Sequence, residues 1–136
     1  MSIFDYFSKD TNKRAKFMFG VIAPIYARVD HSLINGYEKS IETIKKEINL
    51  KDKSVLDIGT GTGAWAMKFI QNDASNVQGI DLSEKILKSG RKKHPEITFS
   101  IGNAEDLNEI PDNSFDIVTA SFVVHGVKAT LRKKCF

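Results

Sequence analysis

The sequence predicts an α/β fold, a doubly wound parallel sheet with helices packed against it. Val55 to Ile58 is a short apolar run with β-branched residues, which is typical of a buried parallel strand. A glycine-rich turn, Gly59 to Gly63, leads from this strand into the helical pattern Ala64 to Ile70. Further short strands alternate with helical segments downstream, as expected for a parallel sheet.

Composition and charge are those of one ordinary globular domain. The chain has 136 residues, of which 41% are hydrophobic and 27% charged, and its net charge is +3. This small charge gives no sign of nucleic-acid binding. Asp5, Lys9 and Asp10 interrupt the N-terminal aromatics, so we expect neither a signal peptide nor a membrane span. The single cysteine, Cys135, has no internal disulfide partner, which indicates a cytoplasmic protein.

Residues 1–53 are predicted to form an N-terminal helical cap of accessory helices, ahead of the α/β domain at 54–136. Basic and apolar residues alternate from Lys13 to Phe19. A longer apolar stripe at helical spacing consists of Tyr37, Ile41, Ile44 and Ile48. Charged residues occupy the opposite side of this second helix, so we expect it to lie on the sheet.

The glycine loop has the spacing G-x-G-x-G and follows a carboxylate, Asp57. Dinucleotide-binding loops instead have G-x-G-x-x-G and place a pyrophosphate on the helix N-terminus. A pyrophosphate would be repelled by Asp57, whereas a ligand with an ammonium and a sulfonium would be attracted. Glycines let the backbone adopt positive φ and approach such a ligand closely.

This block resembles motif I of the class I S-adenosylmethionine-dependent methyltransferases. In that family the acidic residue holds the methionine end of the cofactor through its ammonium, and the loop passes under the ribose. The resemblance implies a Rossmann-like doubly wound sheet, S-adenosyl-L-methionine as cofactor, and methylation of a small-molecule acceptor. The cofactor-binding residues that it implies here are Asp57, Gly59, Thr60, Gly61 and Gly63.

The second strand is predicted at Val77 to Asp81, with a helix beginning at Ser83. Asp81 lies about 20 residues beyond the glycine loop, where a strand-end carboxylate accepts hydrogen bonds from a ribose diol. We therefore predict that Asp81 and the adjacent Leu82 contact the cofactor. The alternative is that Asp81 is a surface residue at a strand end.

A third strand is predicted at Ile97 to Ile101, followed by Gly102-Asn103-Ala104-Glu105-Asp106-Leu107. This segment resembles the family's G-D-A-E-D-L segment, which borders the adenine. The resemblance implies that Asn103 accepts from the exocyclic amine and that the Ala104 N–H faces a ring nitrogen, with Glu105 beside them. Asn103 replaces the usual aspartate, and a neutral acceptor is usually weaker than a charged one. Alternatively, Asn103 is only a turn residue.

The fourth strand is predicted at Phe115 to Ser121, and it resembles a family element whose C-terminal end faces the sulfonium methyl. The resemblance places Ser121 among the cofactor-binding residues. His125 follows as either a general base or a hydrogen-bonded wall residue. Methyl transfer requires in-line positioning above all. We therefore assign no catalytic residue, and we expect no metal.

The segment Phe19 to Tyr26 resembles the F-x-x-I-A-x-x-Y opening of the ubiquinone/menaquinone-biosynthesis methyltransferases. There the N-terminal helices and the tyrosine close over the cofactor, so the resemblance makes Tyr26 a cofactor-binding residue. Tyr26 is otherwise a packed aromatic with its hydroxyl at the surface.

The family pattern continues with a turn, a fifth strand and an antiparallel hairpin, which this sequence lacks. We therefore expect an incomplete domain with its C-terminal strands missing. In a sheet of order 3-2-1-4, strand 115–121 is an unpaired edge, and we expect self-association through it.

Three functions compete. The first is an S-adenosylmethionine-dependent methyltransferase, or its cofactor-binding N-terminal part, and the second is a cofactor-binding remnant without turnover. The third is an NAD(P)-dependent oxidoreductase, which the glycine spacing disfavours. Moreover, no tyrosine has a lysine four residues later, as a short-chain dehydrogenase requires. A nucleic-acid amino-methyltransferase is disfavoured too, because its Asn/Asp-Pro-Pro-aromatic motif is absent.

Overall fold

The computed structural model describes residues 36–121. In chain order the elements are helix α1 (residues 36–47), β1 (Ser54–Ile58), α2 (Ala64–Ile70), β2 (Asn76–Asp81), α3 (Glu84–Lys93), β3 (Thr98–Ile101) and β4 (Ile117–Ala120). The predictions for Tyr26, His125, the segment Lys13 to Phe19 and the C-terminal residues fall outside the described range. Within that range, no helix has the length and hydropathy needed to cross a bilayer.

The four strands form one parallel sheet in the order β3-β2-β1-β4. This confirms the predicted α/β class and strand order. β1 is an inner strand, and its register places Asp57 opposite Gly79 of β2 and Thr119 of β4. Because the strands are parallel, the residues that follow them meet along one edge of the sheet, where ligands bind in open α/β folds.

Both faces of β1 are buried, which explains why Val55, Leu56 and Ile58 are apolar on both sides of the sheet. Val55 contributes to one core cluster, together with Ile41 of α1 and Phe69 of α2. Leu56 and Ile58 contribute to a second cluster. Consecutive side chains of a strand point to opposite faces, so the two clusters lie on opposite sides of the sheet.

The apolar stripe of α1 is buried as predicted, except at its end. Ile41 is fully buried, and Tyr37 and Ile44 pack partly buried against the same cluster. Ile48 is the exception: the helix ends at residue 47, and the Ile48 side chain is 41% exposed. Leu50 is buried instead, because the chain turns towards β1 after the helix.

Contacts between side chains join α1 to α2. The Tyr37 and Trp65 rings lie with their centroids 5.2 Å apart, and Lys68 of α2 forms an ion pair with Glu38 of α1. Helix α1 therefore shares the core of the sheet. The boundary between cap and domain at residue 53 stays a prediction.

Helix α3 begins where the sequence predicts. Ser83 is its N-cap, and the Ser83 hydroxyl accepts a hydrogen bond from the Ile86 N–H. Glu84 in the first turn and the basic residues of the last turn suit the helix dipole.

Strand β4 is shorter than predicted and is tied to the start of β1. The Ser54 N–H and hydroxyl both donate to Asp116 Oδ2, at 2.8 and 2.9 Å, and the Asp116 N–H donates to Ser54 Oγ at 3.0 Å. These hydrogen bonds to Ser54 lower the pKa of Asp116. They fix the start of β4 beside β1, and so contribute to the alignment of their carboxyl ends.

Candidate functional site

The glycine loop turns sharply between β1 and α2. Gly59, Gly61 and Gly63 have φ of 68°, 60° and 88°, in the left-handed region that favours glycine. A Cβ at Gly63 would also lie 2.7 Å from the ring of Phe99, so this position has no room for a side chain. The predicted positive φ of these glycines is confirmed, whereas the lack of space at Gly63, which Phe99 causes, was not predicted.

Asp57, the next-to-last residue of β1, is a buried carboxylate. Its side chain is 1% exposed, and Oδ1 has no hydrogen-bond partner among the described residues. Burial raises the pKa of Asp57 to about 7, while the nearby Thr60 hydroxyl opposes the rise and the Asp81 charge adds to it. An unpaired acidic oxygen at this depth is costly, which makes it a candidate for ligand binding.

Thr60 lies against β2 with its side chain next to Asp57. Its N–H donates to the Ile80 carbonyl at 2.9 Å, and a Cβ at Gly79 would lie 2.6 Å from both Thr60 Cγ2 and Oγ1. The Thr60 side chain thus occupies the space over Gly79, which is opposite Asp57 in the sheet. Thr60 Oγ1 is buried and makes no hydrogen bond of normal geometry with the described residues. It is nevertheless near enough to Asp57 to lower the pKa of that carboxyl.

Asp81 joins the end of β2 to the glycine loop. Its Oδ2 accepts from the Gly61 N–H and its Oδ1 from the Ser83 N–H, both at 3.0 Å. Burial raises the pKa of Asp81, and backbone N–H groups including those of Ser83 and Gly61 oppose that rise. A carboxylate offers about four acceptor positions, and the backbone N–H groups do not fill all of them, so Asp81 can still accept from a ligand hydroxyl. The contact between Asp81 and a ribose stays a prediction, and the remaining acceptor positions of the carboxylate are compatible with it.

Asn103 forms a turn directly beyond β3. Its side-chain Oδ1 accepts from the Glu105 N–H at 2.9 Å, and its carbonyl accepts from the Asp106 N–H at 3.0 Å. This is the turn arrangement that the sequence left open as an alternative. The predicted adenine contact stays a prediction, and in this geometry it would have to share Oδ1 with the backbone.

The other predicted residues lie along the same edge of the sheet. The Gly102 N–H donates to the Asp81 carbonyl at 3.0 Å, so the turn after β3 begins beside the end of β2. Ser121 follows Ala120, which pairs with Ile58 at the entrance to the glycine loop. The half-buried members of the predicted set at this edge are Gly59, Gly61, Leu82, Asn103, Ala104, Glu105 and Ser121.

Sequence reasoning missed two contacts that shape the site. Gly79 makes room for Thr60, and a glycine inside a strand is a signal of such close approach. Trp65 Nε1 donates to Thr119 Oγ1 at 2.9 Å, which positions the residue opposite Asp57 on β4. A buried tryptophan needs a partner for its N–H, but the sequence does not show which residue provides it.

The acidic side chains of the site offer acceptors to a small cationic ligand. In the described range, no group of three or more His, Cys, Asp or Glu residues is placed to hold a metal ion. The unpaired Asp57 Oδ1 offers an acceptor for an ammonium, and the remaining Asp81 lone pairs offer acceptors for hydroxyls. The residues present therefore fit the cofactor that the motif I resemblance implies.

Several known proteins with similar sequences or structures are named methyltransferases. Demethylmenaquinone methyltransferase of Chlorobaculum tepidum is 35% identical over 113 residues, which cover 79% of this chain and 46% of that protein. An S-adenosylmethionine-dependent methyltransferase from Mesorhizobium loti is 30% identical with a TM-score of 0.57, over 61% of this chain and 39% of the other.

A magnesium protoporphyrin IX methyltransferase from Synechocystis, solved with bound SAM, shares the fold at 20% identity. Its TM-score is 0.74, and the match covers 94% of this chain and 69% of that one. The match to the Chlorobaculum protein spans 46%, or about half, of that relative's length. A family described as a methyltransferase domain matches residues 55–136, which is more than half of the chain. The chain therefore belongs to the methyltransferase domain family.

Proposed function

We propose that this chain binds S-adenosyl-L-methionine along the carboxyl edge of its sheet and serves as a methyltransferase acting on a small molecule. The observation that carries this proposal is the unpaired, buried oxygen of Asp57 beside a loop of three glycines with positive φ. The cofactor's ammonium is the partner that we assign to this oxygen. When bound, the cofactor supplies an electrophilic methyl group on a sulfonium.

Residues of the neighbouring strands are assigned to the rest of the cofactor. Asp81 accepts from the ribose hydroxyls through the lone pairs not taken by Gly61 and Ser83. The turn at Asn103 and Ala104 borders the adenine, and Ser121 lies towards the methyl group. Each assignment combines the motif resemblance with a position at the same edge of the sheet.

For the methyl acceptor, we propose a quinol or phenol. The support is the Chlorobaculum relative, whose name identifies a demethylmenaquinone as its substrate. No general base is assigned, because holding an acceptor in line with the methyl group can by itself contribute roughly 7–11 kcal/mol. The role of this chain's residues is then to orient the cofactor and exclude water from it.

Two finer predictions are kept as proposals. A cytoplasmic location is supported by the single cysteine, which suits a reducing compartment.

Self-association through the edge strand is supported by β4, which pairs only with β1 in the described range and has Val118 52% exposed. Size-exclusion chromatography of the chain and of Val118→Lys tests it, since a charged edge residue opposes pairing between chains.

Titration calorimetry with S-adenosylmethionine, S-adenosylhomocysteine and NAD tests the proposed cofactor. We expect binding of the first two and none of NAD. Asp57→Asn should weaken S-adenosylhomocysteine binding about tenfold or more, because a hydrogen bond between two charged groups is lost. Asp112→Asn, which removes an exposed carboxylate, is the matched control and should bind normally. Binding of NAD, or equal affinities in both variants, would overturn the assignment.

A radiolabelled methyl-transfer assay against quinol and phenol acceptors then tests turnover separately. Transfer to one of these acceptors supports the full proposal. Cofactor binding with no transfer to any of them would favour a cofactor-binding remnant and overturn the proposed activity.

A further inference from the structure

We propose that Thr60 is a positioning residue for the cofactor's amine. Its hydroxyl donates a hydrogen bond to Asp57 and thereby keeps the carboxylate ionised when the ammonium binds. This inference rests on the proposed function, and it assigns the second position of the glycine loop a chemical role beyond forming the turn.

The geometry that supports this role is a pair of unpartnered oxygens. Asp57 Oδ1 and Thr60 Oγ1 are the buried side-chain oxygens without a hydrogen-bond partner in the described part of the chain. One belongs to an acceptor and the other to a hydroxyl, which can donate. Burying either group alone is unfavourable, and a hydrogen bond between them satisfies the hydroxyl while leaving Oδ1 a second lone pair for the ammonium.

Packing holds the Thr60 hydroxyl close to Asp57. The Thr60 N–H is bonded to the Ile80 carbonyl, and its side chain lies over Gly79, directly opposite Asp57. A rotation of the Thr60 side chain is a small change compared with moving the loop. Ligand binding can therefore form the Thr60 to Asp57 hydrogen bond without rearranging the sheet.

The neighbours of Asp57 on the two adjacent strands are Thr119 of β4 and Gly79 of β2. On β4, the Thr119 hydroxyl opposite Asp57 accepts a hydrogen bond from the Trp65 indole of α2. On β2, Gly79 has no side chain, and Asp81 is the charged group in the described range that acts on Asp57. Asp81 opposes ionisation of Asp57, so a donor is needed to favour the charged form.

Removing the hydroxyl should therefore change the pH dependence of cofactor binding. Burial raises the pKa of Asp57 to about 7 even with Thr60 present. Hydrogen-bond donation favours the charged form of a carboxylate, so its loss raises the pKa further. A hydrogen bond to a charged group corresponds to about tenfold in affinity, or about one unit in the midpoint of the pH profile.

The experiment measures the dissociation constant of S-adenosylhomocysteine from pH 5.5 to 9 for the wild type, Thr60→Val and Thr60→Ser. Valine retains both γ positions over Gly79 but has no hydroxyl, whereas serine retains the hydroxyl. We expect about tenfold weaker binding at pH 7 and a midpoint about one unit higher for Thr60→Val. Thr60→Ser should retain the wild-type midpoint.

Two controls separate this role from simple packing. Thr62→Val removes another buried hydroxyl from the same loop, and it should leave the midpoint where it is even if affinity falls. 5′-Methylthioadenosine carries the adenosine and the sulfur but no ammonium, so its affinity should not depend on the Thr60 hydroxyl. If Thr60→Val does not fold, Thr60→Ala takes its place in the same comparison.

The outcomes distinguish the two proposals. No binding of S-adenosylhomocysteine to the wild type would overturn the proposed function itself. If the wild type binds S-adenosylhomocysteine but Thr60→Val has the wild-type midpoint, only the role of Thr60 would be overturned. The same conclusion would follow if Thr60→Val lost as much affinity for 5′-methylthioadenosine as for S-adenosylhomocysteine. A midpoint shift in Thr60→Val, with none in Thr60→Ser or Thr62→Val, supports the role of Thr60.

Discussion

Replacing Asp57 by asparagine should remove a pH-dependent part of the protein's stability in the absence of cofactor. Burial raises the pKa of Asp57 from 3.8 to about 7. Between these values the folded state retains a proton that the unfolded state has lost. The stabilisation is therefore complete below the unfolded pKa and is lost as the pH rises through the folded pKa.

The magnitude follows from the size of that window. From pH 5 to pH 7 the folded state holds about one additional proton on Asp57, and each pH unit corresponds to about 1.4 kcal/mol. The wild type should thus lose about 3 kcal/mol of unfolding free energy between pH 5 and pH 8 through this one group. The asparagine side chain of the variant would not titrate, and its neutral amide is similar in size to the protonated carboxyl.

Urea unfolding, monitored by the fluorescence of the single tryptophan, measures this difference at pH 5 and pH 8. The comparison uses the difference in unfolding free energy between the two pH values within each protein, so any pH-independent destabilisation by the asparagine cancels. Asp81 is present in both proteins, so its titration contributes to both differences. Asp112→Asn is the control and should show the wild-type pH dependence. If Asp57→Asn and the wild type lose the same unfolding free energy between pH 5 and pH 8, Asp57 does not bind a proton in that pH range. The argument from its burial would then be wrong.

Substitutions at three further positions, 81, 103 and 79, test separate parts of the site. Asp81→Ala should weaken S-adenosylhomocysteine binding by about ten- to a hundredfold in calorimetry, because hydrogen bonds to a charged acceptor are lost; unchanged affinity would contradict the ribose assignment. Asn103→Asp should keep or modestly improve affinity, since aspartate supplies a second oxygen while the first accepts from Glu105, and Asn103→Leu should weaken it; equal affinities in all three proteins would make Asn103 a turn residue only. Gly79→Ala should destabilise the fold by about 1–3 kcal/mol in urea unfolding, because its methyl would lie 2.6 Å from Thr60, whereas Gly36→Ala, with no atom within 4 Å, should not.

The fold was predictable because its signals are local in the chain. The apolar run of β1, the spaced glycines and the Ser83 cap each specify a short piece of backbone directly. Placing β1 between its neighbours follows from the motif resemblance. The error at Ile48 arose because periodicity shows a face but not where a helix ends, and the end depends on the turn that carries Leu50 into the core.

The hydrogen bonds of the site were harder to predict. Aspartate at position 81 indicated an acceptor, but the sequence did not show that Gly61 and Ser83 already donate to it. Asparagine at position 103 suits both an adenine contact and a turn, and only its bond to Glu105 shows that the turn uses its oxygen. Such bonds join residues whose proximity depends on the packed structure, so spacing along the chain does not reveal them.

The protonation state of Asp57 is the property of the site that the sequence shows least directly. The motif identifies it as an acid that attracts a cation, which assumes that it is ionised. In the folded chain, burial and the Asp81 charge favour the protonated form near neutral pH, and only the Thr60 hydroxyl opposes them among the described side chains. A cationic ligand stabilises the ionised form, so binding at pH 7 should release a fraction of a proton from Asp57. Calorimetry in buffers of different ionisation enthalpy measures that release. A value of zero in the wild type would mean that cofactor binding does not change the protonation of Asp57, and this argument would be wrong.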